Sequence, residues 1–480
     1  MDSHIRPDDA VAEARARWRP EVLPFLVEFA RIPNQSPAYD PDWQAAGHMD
    51  RAADLMAAWA SARDLPGAQV EVVRLPGLTP AVVVEVPATD PDATGTVLVY
   101  GHIDKQPPFD GWSPGRGPWT PVVEGEWLYA RGVGDDGYAL PSTLVALEAL
   151  HASGGRHGRI VVVAEGSEES GSPHLHEVLA HLADRIGTPD VVIALDSGCA
   201  TYDRMWVTTS LRGALMGTLT IRVLEQGIHS GTAGGAVPSS FRIARILLDR
   251  IEDATTGDLL LPELVVAPPD GAAADAERLV ASVAGAGEAE AEFPTVAGLE
   301  LEGADDADRA LRTSWRGSVA VVGADGLPPT ADAGGVLRPF TALRLAVRLP
   351  PTCDAAAAEA ALARVLTSDP PYGAEVTWTG GLSAGGWAAP PFAPWLCEAL
   401  DRASTAAYGV PSACRGEGGT IPFMGWLAER FPEAELLATG VLGPGSNAHG
   451  PDEGLHLPSA ERITGALALL FDAHARRTDT

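Results

Sequence analysis

Side chains that can bind metal follow several short apolar runs of this sequence. These side chains are His102 and Asp104 after TVLVY (96–100), Glu168 and Glu169 after RIVVVAEG (159–166), and Asp196 at the end of VVIALD. Two more, Asp135 in ARGVGDDG and His449 in GPGSNAHGPDEG, lie in glycine-rich stretches. Imidazole and carboxylate groups are the ligands that zinc and manganese take in proteins. Together these residues predict a divalent-metal site.

Each of these residues taken singly also has a structural explanation. A histidine after a strand is more often structural than a ligand, and an Asp pair among glycines is usually a turn. Asp196 could cap a helix, His449 could be an exposed loop residue, and two adjacent glutamates could lie in a solvated loop. Asp104 favours the metal interpretation for His102, because a carboxylate two residues on can hold the second ring N–H of a ligand histidine.

Five of the candidates would divide evenly between two ions. His102 and Asp196 would hold one ion, Glu169 and His449 the other, and Asp135 would bridge them. Paired ions about 3.5–4 Å apart share a water and lower its pKa, which provides a hydroxide near neutral pH. In this division Glu168 is not a ligand of either ion.

The strands and helices predicted around these residues indicate an α/β fold. Fully apolar strands such as TVLVY and RIVVVAEG alternate with helical patterns such as LPSTLVALEALHASG. That alternation predicts a mostly parallel sheet flanked by helices. Open sheets of this kind bind ligands beyond the carboxyl ends of their strands, which is where the candidates lie.

The pattern changes near residue 211. ALMGTLTIRV (214–223) and TALRLAVRL (341–349) alternate apolar and polar residues, which indicates a sheet with one open face. We therefore expect an inserted α+β domain over 211–383, between a first part (1–210) and a second part (384–480) of the main domain. The Ala/Gly/Glu-rich segment 268–310 is predicted to be irregular or mobile.

Composition excludes several classes of partner. The chain of 480 residues has 64 Asp and Glu against 34 Lys and Arg, a formal charge of −30. Such a field repels nucleic acid and anionic membranes. Four scattered cysteines form no CxxC pair, no apolar run is long enough for a transmembrane helix, and the N-terminal MDSHIRPDDAVAEARARW lacks an apolar targeting region. A cytoplasmic location is the expectation.

Seven motifs in this order resemble a known enzyme family. They are YGHIDKQP with WSPGRGPW, LYARGVGDD, AEGSEESGS, ALDSG, GIHSG, RGEGGTIP and GSNAHGPDE. The chain is similar to the dinuclear zinc metallopeptidases that include carnosine and cytosolic non-specific dipeptidases, aminoacylases, acetylornithine and succinyl-diaminopimelate deacylases, and glutamate carboxypeptidases. The dipeptidase branch is the most similar, through EGSEESGS, the LRG at 211–213 and GADGLPPTADAGGVLRP.

The resemblance implies a role for each matching residue of the centre. His102, Asp135 and Asp196 would bind one ion, and Asp135, Glu169 and His449 the other, zinc first and manganese or cobalt as alternatives. Asp104 would orient His102, and Glu168 would be the general base. A cis peptide is implied between Asp135 and Asp136.

The resemblance also implies substrate contacts and an assembly. The inserted domain resembles the family's lid and dimerisation domain. Its His229 would reach the active site of the partner in a homodimer and polarise the scissile carbonyl there. Arg348 and Thr420 match positions that hold the substrate's terminal carboxylate. The chain departs from its relatives at Gly137 and Tyr138, where they often read Lys-Gly, and at Gly335, where they usually have Asn or Thr.

The expected activity is metal-dependent hydrolysis of the amide bond of dipeptides. A deacylase of N-acyl amino acids would use the same machinery and is the main alternative. A non-catalytic relative that binds a metal or another ligand is a third possibility; it would lack a ligand or the base, whereas all six positions are filled here.

Overall fold

The computed structural model of the chain describes residues 6–89, 93–284 and 295–477. Its helices are α1 (Pro7–Ala30), α2 (Trp43–Ala46), α3 (His48–Ser61), α4 (Ala139–Ala152), α5 (Leu175–His181), α6 (Ala183–Ile186), α7 (Ser230–Ala233), α8 (Ser240–Leu248), α9 (Ala272–Ala284), α10 (Asp306–Ser314), α11 (Ala355–Thr367), α12 (Pro394–Tyr408), α13 (Pro422–Arg430) and α14 (Leu457–Arg476). Its strands are β1 (Gln69–Val73), β2 (Ala81–Val86), β3 (Thr96–His102), β4 (Val122–Glu124), β5 (Trp127–Tyr129), β6 (Arg159–Glu165), β7 (Val191–Ala194), β8 (Trp206–Leu211), β9 (Gly213–Arg222), β10 (Ile228–His229), β11 (Ser318–Asp325), β12 (Val336–Leu337), β13 (Phe340–Leu349), β14 (Glu375–Ala384), β15 (Trp387–Ala388), β16 (Ala413–Glu417), β17 (Glu435–Ala438) and β18 (Gly454–His456).

The largest sheet has the order β1-β2-β6-β3-β7-β17-β8-β15, with β16 paired to β8. Its four central strands, β6, β3, β7 and β17, are mutually parallel, and antiparallel strands flank them. The predicted mostly parallel α/β sheet is therefore confirmed. Its fully apolar strands are buried on both faces, as parallel strands under helices must be.

Two apolar cores cover the faces of this sheet. Successive residues of a strand point to opposite faces, so Val97 and Val99 enter one core while Leu98 and Tyr100 enter the other. Helices α1, α4, α12 and α14 pack together on the first face. Helices α5 and α13 contribute to the second core.

A separate four-stranded sheet, in the order β11-β13-β9-β14, comes from residues within 213–384. Leu343, Leu345, Val347 and Leu349 of β13 are buried, with Arg344, Ala346 and Arg348 between them partly exposed, as the period-two pattern predicts. Helices α8 and α11 pack against this sheet. The boundaries 1–210, 211–383 and 384–480 for the domains stay a proposal.

The prediction of an irregular segment over 268–310 is wrong for much of its length. Helix α9 lies within it and α10 begins in it, and the two helices pack against each other and against β16. Residues 285–294 lie outside the described residues. Alanine is the best helix former, which accounts for α9. The Asp305 side chain accepts from the Asp308 N–H and caps α10.

None of the helices in the described ranges combines the length and the apolar character that a membrane-spanning segment requires.

Candidate metal centre

The carboxyl ends of three neighbouring parallel strands bring the candidates together. His102 is the last residue of β3, Glu168 and Glu169 open a short turn just after β6, and Asp196 follows β7 by two residues. Strand β3 pairs in parallel with both β6 and β7, so the three strand ends meet at one edge of the sheet. The sheet topology thus explains why residues distant in sequence converge.

Asp135 lies between the two histidines of the centre. Its Oδ1 is 3.0 Å from Nε2 of His102, and its Oδ2 is 2.9 Å from Nε2 of His449. It is carried by a tight turn, Val133–Gly137, in which the Asp135–Asp136 peptide is cis. One carboxylate therefore faces both imidazoles.

The remaining candidate ligands lie on either side of Asp135. Glu169 Oε2 is 3.3 Å from Nε2 of His449, and Asp196 Oδ2 is 3.8 Å from Nε2 of His102. Ligand atoms of His102, Asp135 and Glu169 fall within 4.8 Å of one another. Those of His102, Glu168 and Asp196 form a second group of the same size, so distance alone also permits Glu168 as a ligand.

Asp104 has more partners than the sequence indicates. Nδ1 of His102 lies 3.1 Å from the backbone carbonyl of Asp104 and 3.4 Å from its Oδ1. The Asp104 carboxylate accepts the backbone N–H groups of Glu168 and Glu169, each at 3.0 Å. Asp104 therefore orients the His102 ring and fixes the backbone of both glutamates.

Crowding of carboxylates shifts their proton affinity. Burial, followed by the charge of Asp135, raises the pKa of Asp196 to about 7 and raises that of Glu169 well above its ordinary value. Burial also raises the pKa of Glu168 strongly, with Asp196 adding to it. Burial opposes ionisation of Asp135 too, yet hydrogen bonds from His102 and His449 hold its pKa below the ordinary value. Three buried carboxyls and the half-buried Glu168 repel one another here, and bound cations would relieve that repulsion.

The two predicted carboxylate-binding residues are in contact. Nη1 of Arg348, on β13, donates to Oγ1 of Thr420 at 3.0 Å, and that hydroxyl donates to the Arg212 carbonyl at 2.6 Å. Arg348 is half-buried, and no carboxylate within the described residues pairs with its guanidinium. It is therefore available to an anionic ligand.

His229 lies elsewhere, exposed on the two-residue strand β10. Within the described part of the chain its ring makes no hydrogen bond or ion pair with the residues around Asp135. The backbone N–H of the next residue, Ser230, donates to the carbonyl of Gly335 at 2.8 Å, so Gly335 lies beside His229.

Tight packing gives a reason for the departure at Gly137 and Tyr138. A Cβ on Gly137 would lie 2.5 Å from the Gly132 carbonyl and 2.6 Å from the Phe29 ring. The buried Tyr138 hydroxyl donates to the Leu195 carbonyl at 2.6 Å, next to Asp196. These two residues hold the Asp135 turn against the helix layer and the end of β7.

Three features near the centre are not predicted by the sequence. Nε2 of Gln106 donates to Oε2 of Glu169 at 2.5 Å, and Arg131 forms a buried ion pair with Glu453. Oε1 of Glu417 accepts the Gly198 N–H at 2.9 Å, just after Asp196. The available signals are positional, since Gln106 and Glu453 each follow a candidate ligand histidine by four residues.

The donor set fits two divalent cations. Nε2 atoms of two imidazoles and the oxygens of four carboxylates converge on one small volume. Nδ1 of His102 is engaged with Asp104, which directs Nε2 toward the cluster. Mixed nitrogen and oxygen donors of this kind suit zinc, manganese or cobalt.

Comparison with known proteins gives consistent matches. The model of peptidase family M20/M25/M40 matches residues 98–473. A cysteinylglycine-S-conjugate dipeptidase from Corynebacterium striatum is 27% identical over 382 residues, covering 78% of this chain and 80% of the relative. Human carnosine dipeptidase 1 superposes with a TM-score of 0.75 at 20% identity, and the dipeptidase Dug1p of Saccharomyces cerevisiae with 0.74 at 21%. Both structures cover 98% of this chain and are themselves covered to 99%.

Proposed function

The chain belongs to peptidase family M20/M25/M40 and is a metal-dependent dipeptide hydrolase, and we propose that the cluster around Asp135 is its catalytic centre. One observation carries this assignment: the two Asp135 oxygens face His102 at 3.0 Å and His449 at 2.9 Å. A buried carboxylate between two imidazoles can offer one oxygen to each of two cations.

Two zinc ions per chain are proposed as the cofactor, with manganese or cobalt as alternatives. His102 and Asp196 would hold one ion, Glu169 and His449 the other, and Asp135 would contribute an oxygen to each. When bound, the ions lower the pKa of a shared water and polarise the scissile carbonyl.

Glu168 is proposed as the general base. It accepts a proton from the attacking water and later donates it to the leaving amine. The hydrogen bond from its backbone to Asp104 keeps the side chain at the centre without using the carboxylate itself. Asp104 acts as a positioning residue for His102 and for both glutamates.

Arg348 and Thr420 are proposed to receive the terminal carboxylate of the dipeptide. Their contact leaves other guanidinium donors of Arg348 for a carboxylate, which Arg binds in a bidentate manner.

A homodimer is proposed to complete the site. His229 is exposed, as a residue that serves the partner subunit would be. Val321 and Val322 are 49% and 56% exposed on β11, an edge strand of the second sheet. Exposed apolar edge strands favour pairing with another chain. A cytoplasmic location is proposed on the four cysteines, all of which are free thiols.

The decisive experiment is a substrate profile with defined metal content. Chelator-treated enzyme is reloaded with zinc, manganese or cobalt and assayed on Cys-Gly, S-substituted Cys-Gly and other dipeptides. Acetyl- and succinyl-amino acids are assayed in parallel. We expect turnover of dipeptides only in the metal-loaded forms. Exclusive turnover of the acylated amino acids would refute the proposal in favour of a deacylase.

A further inference from the structure

A buried ion pair joins two loops of the centre. Nη1 of Arg131 lies 2.5 Å from Oε2 of Glu453, and both side chains are only 1% exposed. The two residues are 322 positions apart in sequence. Replacing a buried ion pair by apolar residues is often neutral or stabilising for the fold, so such a pair suggests a role beyond stability.

On one side the pair holds the turn that carries Asp135. Oε1 of Glu453 accepts the Gly132 N–H at 2.7 Å, and the Glu453 carbonyl accepts the Ala130 N–H at 3.0 Å. The Gly132 carbonyl in turn accepts the Gly137 N–H at 3.1 Å, which closes the turn around Asp135. Glu453 thus fixes both the start of this turn and, through Gly132, its end.

Glu453 also belongs to the loop of His449, four residues earlier in the chain. The Gly454 N–H donates to the Ser446 carbonyl at 2.9 Å and closes this loop at its base. Next to this loop, β18 pairs with β5, which precedes the Asp135 turn. The ion pair is therefore a second, side-chain connection between the His449 loop and the Asp135 turn.

A third segment is attached through Arg131. Its Nε donates to the Pro107 carbonyl at 3.1 Å, and the adjacent Gln106 donates to Oε2 of Glu169 at 2.5 Å. The Arg131 guanidinium and the Glu453 carboxylate therefore contact the segments that carry Asp135 and His449, and a segment whose Gln106 holds Glu169. Asp135, His449 and Glu169 are the residues assigned above to one of the two ions.

His102 and Asp196, which would hold the other ion, are positioned by the central sheet. His102 is part of β3, and Asp196 follows β7, which pairs directly with β3 in the central sheet. Neither residue touches Arg131 or Glu453 through a hydrogen bond within the described ranges. One half of the centre is thus built on the sheet and the other on loops.

We infer that Arg131 and Glu453 are positioning residues that act mainly on the affinity of the ion held by Asp135, Glu169 and His449. The ion of His102 and Asp196 shares only Asp135 with that half of the centre and depends on them less. The inference rests on the proposed two-ion centre. Residues that orient metal ligands change affinity by about 10- to 100-fold when they are mutated.

The test is a zinc titration of the full-length apoprotein by calorimetry and by metal analysis after dialysis. Wild type is expected to bind two ions. Glu453→Gln, which keeps the shape but removes the charge, should bind one ion about 10- to 100-fold more weakly and the other with a clearly smaller loss of affinity. Equal weakening of both ions, or of neither, would overturn the inference. A wild type that binds fewer than two ions would instead overturn the proposed two-ion centre, whatever the variant does.

Glu148→Gln is the matched control. Glu148 is also buried, with a side chain 3% exposed, lies 3.5 Å from Arg63 and accepts the Asp64 N–H at 2.8 Å, outside the metal centre. The Glu148→Gln variant should lose thermal stability and still bind both ions with wild-type affinity. If Glu148→Gln weakens the second ion as much as Glu453→Gln does, general destabilisation explains the loss and the inference fails. Should Glu453→Gln not fold, Arg131→Lys decides by the same criterion, because lysine cannot reach Glu453 and the Pro107 carbonyl together.

Discussion

The backbone N–H of Glu168 donates a hydrogen bond of 3.0 Å to Oδ1 of Asp104. The N–H of Glu169 donates a bond of the same length to Oδ2 of the same carboxylate. One buried side chain thereby fixes two consecutive residues through their backbone, and the glutamate side chains are free to take different partners. Glu169 lies 3.3 Å from His449, whereas Glu168 groups with His102 and Asp196.

Glu168→Gln should therefore separate catalysis from metal binding. We expect both ions to remain and kcat to fall about 100- to 10,000-fold, the range associated with loss of a general base. Metal content and single-turnover rate are measured on the same sample. Glu169→Gln is the matched variant and should lose one ion as well as activity. If the Glu168→Gln variant loses an ion, Glu168 is a metal ligand and not the general base.

Arg348→Lys should impair recognition of the substrate's carboxylate. A charge-assisted hydrogen bond contributes about 1.5–3 kcal/mol, so KM for dipeptides should rise about 10- to 100-fold while kcat changes little. The wild-type preference for a dipeptide over its C-terminal amide should shrink by a similar factor. Kinetics on both substrates measure this.

Arg344→Lys is the control for that substitution. Arg344 is on the same strand, and its Nη1 lies 3.3 Å from Oγ1 of Thr218, a contact much like that of Arg348 with Thr420. The Arg344→Lys substitution should leave both KM and the preference for a free carboxylate unchanged. An unchanged preference in Arg348→Lys would mean that other residues bind the carboxylate.

The sequence predicts three of the candidate ligands because they follow apolar runs that mark strands. Apolar runs identify the strands, and the ends of parallel strands converge, so the amino-acid pattern alone places His102, Glu169 and Asp196 near one another. Asp135 and His449 have no such signal. Only their residue types and the resemblance to a known family indicate them.

The contacts that support the ligands are beyond prediction from the sequence. The Arg131–Glu453 pair joins residues 322 positions apart, and a single charge carries no periodicity that would indicate its partner. The hydrogen bond from Gln106 to Glu169 depends on how two loops pack. The helices within 268–310 differ from the prediction for another reason: the helix propensity of alanine and the Asp305 cap outweigh the glycine and acidic content of the segment.

The buried His157 should make stability fall on the acid side. Its Nδ1 donates to the Gly158 carbonyl at 2.6 Å, and its Nε2 lies 2.8 Å from Nε2 of His151, so Nε2 accepts that neighbour's proton. Burial lowers the pKa of His157 to about 4. The unfolded chain, with a histidine pKa of about 6.5, then binds a proton that the native state does not. Stability contributed by neutral His157 is present above pH 6.5 and is lost as the pH falls toward 4.

Urea unfolding of the metal-free protein at pH 7 and pH 5 measures this effect. Wild type should lose about 2 kcal/mol more than His157→Gln between the two pH values. His181→Gln, at an exposed position of α5, is the control and should show the wild-type difference. The same pH dependence in His157→Gln and wild type would assign the acid sensitivity to other groups.

Mixed dimers test whether His229 acts across the subunit interface. Glu168→Gln and His229→Ala should each be nearly inactive alone. When the two are co-expressed, the His229→Ala chain keeps its own Glu168 and receives the partner's His229, so activity should return. Random assortment makes half of the dimers mixed, each with one intact site, which gives about a quarter of the wild-type rate. If His229 served its own chain, every site in every dimer would lack either the base or the histidine, and no activity would return.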